Sequence, residues 1–516
     1  MTFLALLLLA LLPVSNYIAR AEAQLGGCPR PLLNTSVFQD VRNNGGCILL
    51  EKVCVDDGML VLFDEADRAE NLTRRNPLGE LWQQSGLWNF PARGGANSDA
   101  LVGHQPNSYV PIRPASRLEG SPHLRSPVFS PCVLPVVMIT DWPYNMGEVM
   151  AQLAPIADVY FRQKGMIDDL ATLVLATPNG LGMTPFQHVL LQPYSRHPSM
   201  SLAELSAGRG AGEGGGGEAG RHPSCFERVV LCKMHGFPQG IRPTVQTLLA
   251  HLAARGRIPA DPLGFGPPPP APPLSLHNDS TLRVLIEARS GPTRNIRNMH
   301  DLIAACEAAN AAGFRAGSFT RLSCKVLNTA DTPQLHGNER FYATVGAVRS
   351  AHVLVTLHGA GAANCFFLEE DNGGTALLEI RPCRFGTQFC GWPDAYMQSQ
   401  LSRAGDVIRF FALNVEDPAQ CAPSDYEAAA QASPADTPMR GGDDMRARDQ
   451  HVSPRPATLL AMLRHVGGLL RDDAAFRAAQ REGKLHGYAV PGGLALGPLC
   501  VKDVAGHVRG GATVLQ

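Results

Sequence analysis

The chain has 516 residues, 45% of them hydrophobic, enough to fill the cores of two or three domains. Its formal net charge of -1 at pH 7 gives no electrostatic reason for a nucleic-acid partner. Residues 3–14, FLALLLLALLPV, are an apolar run too short to span a bilayer comfortably, and Ala21-Glu22-Ala23 after it fits a cleavage site. Residues 1–23 therefore read as a signal peptide, with a short signal anchor as the alternative and the only membrane attachment expected. Residues 24–130 are irregular and rich in Pro, Gly, Asn and Arg, with a strand pair around 47–55 and 59–63. Residues 131–256 read as an α/β domain: strand 133–139, amphipathic helix 145–161, strand 170–176, a flexible Gly-rich loop at 206–220, strand 226–231 and helix 244–255.

A Pro-rich linker follows at 257–276, and then a second α/β domain at 277–415. In this domain strand 282–288, helix 298–312, strand 323–327, helix 338–350, strand 353–357, a glycine turn and strand 376–380 alternate strictly. That order predicts a doubly wound parallel sheet. Residues 416–457 are low in complexity, dominated by Ala, Asp, Pro and Gly, and read as disordered. In 458–516, Leu459, Leu460, Met462, Leu463, Val466, Leu469 and Leu470 recur at helical spacing, which predicts a packed C-terminal helix followed by a tail.

Thirteen cysteines suit an oxidising compartment, and their odd number leaves at least one thiol free or intermolecular. None falls in a C-x-x-C spacing, which argues against zinc knuckles and thioredoxin chemistry. Cys47 with Cys54, Cys225 with Cys232, and Cys383 with Cys390 are near enough in sequence to pair, although the connectivity stays open. Sequons at Asn34, Asn71 and Asn278 add to the reading of a glycosylated protein of the secretory lumen.

The densest chemistry lies at residues 351–368, AHVLVTLHGAGAANCFFL. A continuous apolar strand ends at His358, glycines at 359 and 361 allow close backbone approach, and a helix should then point its free amides at the same place. An anion such as a pyrophosphate fits a turn of that kind. Upstream, Arg289, Arg294 and Arg297 follow the end of a strand on the same expected sheet edge, and guanidiniums there suit forked contacts with phosphate oxygens. Glu379, in ALLEIRP at 376–382, lies near the end of another buried strand. It could accept hydrogen bonds from ribose hydroxyls, or pair with a nearby arginine for structural reasons alone.

Taken together, Arg289, Arg294-Asn-Ile-Arg-Asn298, His358-Gly359-Ala360-Gly361-Ala-Ala-Asn364 and Glu379-Ile-Arg-Pro382 resemble glycosyltransferase family 61. That family includes plant xylosyl- and arabinosyltransferases and animal O-linked GlcNAc transferases. The likeness covers roughly 133–415 and is dense over 282–382. It implies a GT-B-like α/β fold, with two Rossmann-like domains facing each other across a cleft and the donor in the C-terminal one. It also implies inverting transfer from a UDP-sugar to a glycan or glycoprotein acceptor, most naturally in the Golgi or endoplasmic reticulum. By that likeness Arg289 and Arg294 touch the diphosphate with Asn298 beside them, His358 to Gly361 with Asn364 hold it, and Glu379 faces the ribose or uracil.

On the acceptor side, Asn145 matches a family signature, but Glu148 and Gln152 stand where it carries histidine and aspartate. An inverting transfer needs a general base for the acceptor hydroxyl, and Glu148 or Asp141 is the candidate. No cofactor or metal is expected, because the sequence has no Asp-x-Asp run of the kind that holds a divalent cation on a donor diphosphate. A hydrolase would need a G-x-S-x-G elbow, and a NAD enzyme G-x-G-x-x-G at its first strand; neither is present. The alternative to an enzyme is a degenerate family member that binds carbohydrate or a partner protein.

Overall fold

The computed structural model describes residues 38–40, 45–56, 59–63, 112–114, 124, 127–139, 145–155, 171–177, 182–207, 224–233, 241–259, 262–265, 279–328, 337–370, 374–385, 407–415, 417–432, 443–481, 489–490, 494–495, 501–502 and 508–509. The expected signal segment, Asp141, the asparagines of all three sequons, the tetraglycine of the Gly-rich loop and the Pro267–Pro270 run of the linker lie outside them. The chain divides into two compact units, Met1–Leu248 and Leu249–Gln516.

The first unit is built on one mixed sheet. Its strands are β1 (Phe38–Asp40), β2 (Gly45–Asp56), β3 (Met59–Leu62), β4 (Ile112–Pro114), β5 (Leu134–Ile139), β6 (Ala171–Leu175), β7 (Met200–Ser201) and β8 (Ser224–Lys233). The order is β4-β3-β2-β8-β5-β6-β7, with β1 pairing on β2. Strands β8, β5, β6 and β7 run parallel, and β5 and β6 are buried along their whole length, as their unbroken apolar runs require. Among the described residues are helices α1 (Met146–Pro155), α2 (Pro185–Leu191), α3 (Leu202–Ala207) and α4 (Ile241–Ala254), the last running across the boundary between the units. The strand pair expected at 47–63 is present as β2 and β3, but it is not outside the α/β domain. Strand β2 adds antiparallel to β8 and packs Leu50, Val53 and Val55 into the same core as Val137, Val174 and Leu231.

The second unit carries a five-stranded, wholly parallel sheet: β9 (Thr281–Ala288), β10 (Arg321–Asn328), β11 (Val353–Leu357), β12 (Thr375–Arg381) and β13 (Ile408–Asn414). The order β10-β9-β11-β12-β13 is a doubly wound 2-1-3-4-5 arrangement, the α/β class expected from the alternating pattern. Helices α5 (Met299–Ala311) and α6 (Asn338–Arg349) are its crossovers. The direction in which successive strands are added across the sheet reverses between β9 and β11, so the carboxyl ends of those two strands bound the crevice where such sheets take ligands.

The low-complexity stretch contains structure. Among its described residues are β14 (Cys421–Ala422), α7 (Asp425–Ala432), α8 (Asp443–Asp449) and β15 (His451–Val452). The expected C-terminal helix forms as two, α9 (Pro456–Leu469) and α10 (Asp473–Arg481), divided at Arg471, which has φ 63°. Leu459, Met462, Leu463 and Val466 of α9 are buried against Leu282 and Val284 of β9. Helix and chain approach so closely there that a Cβ on Gly467 would lie 2.9 Å from that of Ala316.

Disulfides join Cys54 to Cys225, Cys306 to Cys324 and Cys383 to Cys421, and Cys132 and Cys232 are also disulfide-bonded. The neighbour pairings read from sequence are therefore corrected. Cys47 and Cys54 lie on one strand, as do Cys225 and Cys232, and seven extended residues span roughly 23 Å. Bonded cysteines need Cα atoms within about 7 Å. Pairing of β2 with β8 instead puts Cys54 opposite Cys225. On the chain-entropy account, sequence separations of 18, 38 and 171 residues are worth about 3, 4 and 5 kcal/mol respectively. These bridges fit an oxidising, secretory-pathway or extracellular location. Among the described residues Cys365 is the free thiol, and no helix is long and apolar enough to cross a membrane.

Candidate functional site

The site grows from the end of β11. Leu357 closes the strand and His358 still bonds across to β12, donating its amide to Ile380 O at 2.9 Å. Gly359 then adopts φ 145° and ψ -169°, a backbone region open essentially to glycine alone. The segment that follows, Ala360–Phe367, is a 3₁₀ helix rather than the α-helix expected, with Ala362 N–H bonded back to Gly359 O at 3.0 Å. Its first amides have no acceptor within the helix and lie at the switch-point crevice.

From the neighbouring strand β9 comes the arginine loop. Both of its first two guanidiniums fold over Gly359: a Cβ there would sit 2.5 Å from Arg294 Nη1 and 2.8 Å from Arg289 Nη1. Arg294 has φ 58° and donates from Nη1 to His358 O at 3.4 Å. So two loops more than sixty residues apart in sequence meet, and glycine at 359 is what lets them. Arg289 Nη1 and Arg294 Nε are buried without a hydrogen-bond partner among the described residues. Burial, Arg289 and Arg448 together push the pKa of Arg294 down to about 9, while Asp449 and Glu287 oppose that shift. It remains a cation at neutral pH, but an under-neutralised one. Arg297, the third arginine of the loop, turns elsewhere and pairs with Asp425 at 3.1 Å.

The loop is pinned by the segment just before α9. Arg294 N–H donates to Asp449 O, Asn295 N–H to the His451 ring Nδ1, Arg297 N–H to Val452 O, and Val452 N–H returns to Asn295 O, all within 3.2 Å. Since a backbone N–H can only donate, His451 Nδ1 is the acceptor and Nε2 carries the proton that points at Asp425 Oδ1, 3.2 Å away. Asn298 joins this anchorage, its side-chain amide donating to Pro454 O at 2.8 Å.

Glycine at 361 has a different cause from glycine at 359. A Cβ there would fall on the carboxylate of Glu287, a 4%-exposed residue near the end of β9 that also accepts from the Thr356 hydroxyl. The turn thus meets a protein carboxylate at 361 and the guanidiniums at 359. Asn364 is buried, with its side-chain oxygen lacking a hydrogen-bond partner among the described residues.

Beneath the turn lies a wholly buried triad. Glu379 Oε1 is 2.7 Å from His358 Nδ1, and Arg381 Nε donates to Oε2 at 2.8 Å. Burial would raise the Glu379 carboxyl, but His358 and Arg381 outweigh it and its pKa is lowered. At His358 burial dominates and lowers the pKa, although Glu379 works against it. The arrangement consistent with both is a carboxylate held by Arg381 and a neutral ring donating Nδ1–H to it. Of the two readings open for Glu379, the geometry is the structural one: it orients His358 from below, and its two oxygens are engaged by His358 and Arg381.

The structure therefore brings Arg289, Arg294, His358, Gly359, Ala360 and Gly361 to one sheet edge, with Asn298 and Asn364 close by in the chain. Asn145 immediately precedes α1 of the first unit and Glu148 lies in its first turn, after the carboxyl end of β5; the Glu148 side chain lies outside the described residues, as does Asp141. Gln152, two turns along α1 from Asn145, is buried. Sequence reasoning missed Glu287, Arg448, Asp449 and His451. A lone glutamate in LRVLIEA gives a signal only once β9 is known to end there, and the other three sit in a segment whose composition hides them. Among the described residues no cluster of His, Cys, Asp and Glu could hold a metal ion. No protein-family model matches the chain, and no curated protein matches it.

Proposed function

We propose that the protein is an inverting glycosyltransferase of the secretory pathway, most naturally of the Golgi, using a UDP-sugar donor in a GT-B-like arrangement. The observation that carries this reading is the convergence of Arg289 and Arg294 on Gly359 at the switch point, with Arg289 Nη1 and Arg294 Nε buried and without a hydrogen-bond partner among the described residues. A diphosphate offers the oxygens such a pair lacks. In the reaction, a base takes the proton from an acceptor hydroxyl, the oxygen attacks the anomeric carbon, and the bond from that carbon to the diphosphate breaks. UDP departs with the electron pair, and Arg289, Arg294 and the first amides of the 3₁₀ helix stabilise its growing charge. Glu148 or Asp141 would be the base.

A panel of UDP-sugars tested by thermal shift examines this directly, because a ligand of the folded state raises the melting temperature. Arg294→Ala should weaken UDP binding by roughly 1.5–3 kcal/mol through loss of one charge-assisted contact. If neither UDP nor any UDP-sugar shifts the parent, the reading is wrong.

A further inference from the structure

Arg448 and Asp449 are consecutive residues at the end of α8, and their side chains grip each other. Arg448 Nε lies 2.6 Å from Asp449 Oδ1, and Arg448 Nη2 lies 2.9 Å from Oδ2. This is the forked geometry in which guanidinium holds a carboxylate or a phosphoryl group. The same Oδ1 stands 3.6 Å from Arg294 Nε. One carboxylate therefore serves two arginines, and Arg448 is close enough to Arg294 to depress its pKa. All three side chains are 15% exposed or less. Beside them, Arg289 Nη1 has no acceptor among the described residues.

Four guanidiniums (Arg289, Arg294, Arg381, Arg448) and three carboxylates (Glu287, Glu379, Asp449) meet at this end of the sheet. Arg381 and Glu379 satisfy each other below the turn. Glu287 lies against Gly361 and Thr356. Asp449 faces both Arg294 and Arg448, while Arg289 Nη1 has no hydrogen-bond partner among the described residues.

We propose that Asp449 is an internal stand-in for a phosphoryl group, and that the anionic ligand displaces it and recruits Arg448 as a third phosphate-binding arginine. The inference rests on the donor-site reading and narrows the ligand class. A carboxylate carrying one charge is displaced readily by a diphosphate, which carries more, and poorly by a singly charged anion. Asp449 is thereby a specificity gate that keeps the arginines paired until a ligand of sufficient charge arrives. Its backbone carbonyl, which accepts the Arg294 amide at 3.2 Å, holds the loop in either state.

The test is calorimetric titration of the full chain with inorganic pyrophosphate and with UDP, comparing the parent, Asp449→Asn and Arg448→Gln, each checked by thermal unfolding. Asp449→Asn keeps the backbone anchor and removes the competing charge, so pyrophosphate should bind about tenfold tighter, the factor of one charge-assisted contact. A purely structural aspartate would give weaker binding or none. Arg448→Gln should weaken pyrophosphate binding about tenfold on the same basis. A folded Asp449→Asn that binds pyrophosphate no tighter than the parent overturns the proposal. Should that variant fail to fold, Arg448→Gln decides: unchanged affinity overturns the proposal, and weakened affinity supports it. A parent that binds neither pyrophosphate nor UDP defeats the donor-site reading itself, whereas a binding parent with unmoved variants defeats this inference alone.

Discussion

Gly359→Ala isolates the feature on which the site depends. The substitution has two separable costs. The first is conformational: φ 145° with ψ -169° is nearly closed to residues with a Cβ, and holding alanine there costs about 1–3 kcal/mol of stability. The second is local. The new methyl would lie 2.5 Å from Arg294 Nη1 and 2.8 Å from Arg289 Nη1, so something must shift. What shifts is the far end of two flexible side chains, because the backbone of 358–360 is fixed by the sheet and the 3₁₀ helix. Both guanidiniums are pushed off the turn together. At roughly 1.5–3 kcal/mol for each charge-assisted contact, UDP affinity should fall at least about 100-fold.

Calorimetry with UDP on the parent and the variant reads the binding term, and a thermal melt without ligand reads the conformational one. Alanine at 359 that melts a few degrees lower yet binds UDP within threefold of the parent would refute the reasoning. The arginines would then have been displaced without loss, and the ligand would lie elsewhere. Gly361→Val is a poorer probe, because its side chain would collide with Glu287 inside the fold rather than block a ligand.

Three further outcomes are expected. Glu148→Gln should leave UDP affinity intact and lower turnover by about 10²–10⁴-fold if Glu148 is the base, with Asp141→Asn as the comparison; unchanged turnover in both moves the base elsewhere. Transfer in excess EDTA should match transfer in Mn²⁺, because Arg289 and Arg294 take the place of a cation; a large loss restored by metal would contradict that assignment. Stability should fall on acidification below pH 6.5: burial holds the pKa of His465 down to about 4 and lowers that of His451, so the unfolded chain takes up these protons first. For His465 the stabilisation is complete above 6.5 and lost as pH falls through about 4, on the order of 3 kcal/mol, and a melt series on His465→Gln should show a shallower slope.

Much of the second unit was legible because its signals are local. Unbroken apolar runs at 282–288, 353–357 and 376–380 mark strands buried on both faces, and the intervening helices force a parallel sheet. From that order alone the ends of β9 and β11 fall on one edge, which places Arg289, Arg294 and the glycine turn together. Strand β13 gave no comparable warning, since the chain between 382 and 407 carries no helical pattern to announce a crossover. The roles of the two glycines could not be told apart either. Both satisfy a rule about close backbone approach, but which atoms approach depends on Glu287 and on the arginine rotamers, neither of which has a sequence period.

The anchoring of the arginine loop was illegible for a deeper reason. Its partners, Asp449, His451, Val452 and Pro454, lie more than 150 residues away, in a stretch whose Ala, Asp, Pro and Gly content argues for disorder taken alone. Composition rules measure whether a segment can bury its own apolar surface, and this one does not need to. It is ordered by donors and acceptors that the loop supplies: three backbone–backbone hydrogen bonds, the Asn295 N–H to the His451 ring, the Asn298 side-chain amide and the Arg297–Asp425 pair. The dependence runs both ways. Burial first, and the like charges of Arg289 and Arg448 after it, hold the pKa of Arg294 down. Left to themselves Arg289 and Arg294 would swing toward water, since surface exposure screens like charges at almost no entropic cost. Backbone anchors oppose that motion without consuming the guanidinium hydrogens, so the charge remains available at the turn. The segment that looks least structured in the sequence is what keeps two like charges converged on one glycine.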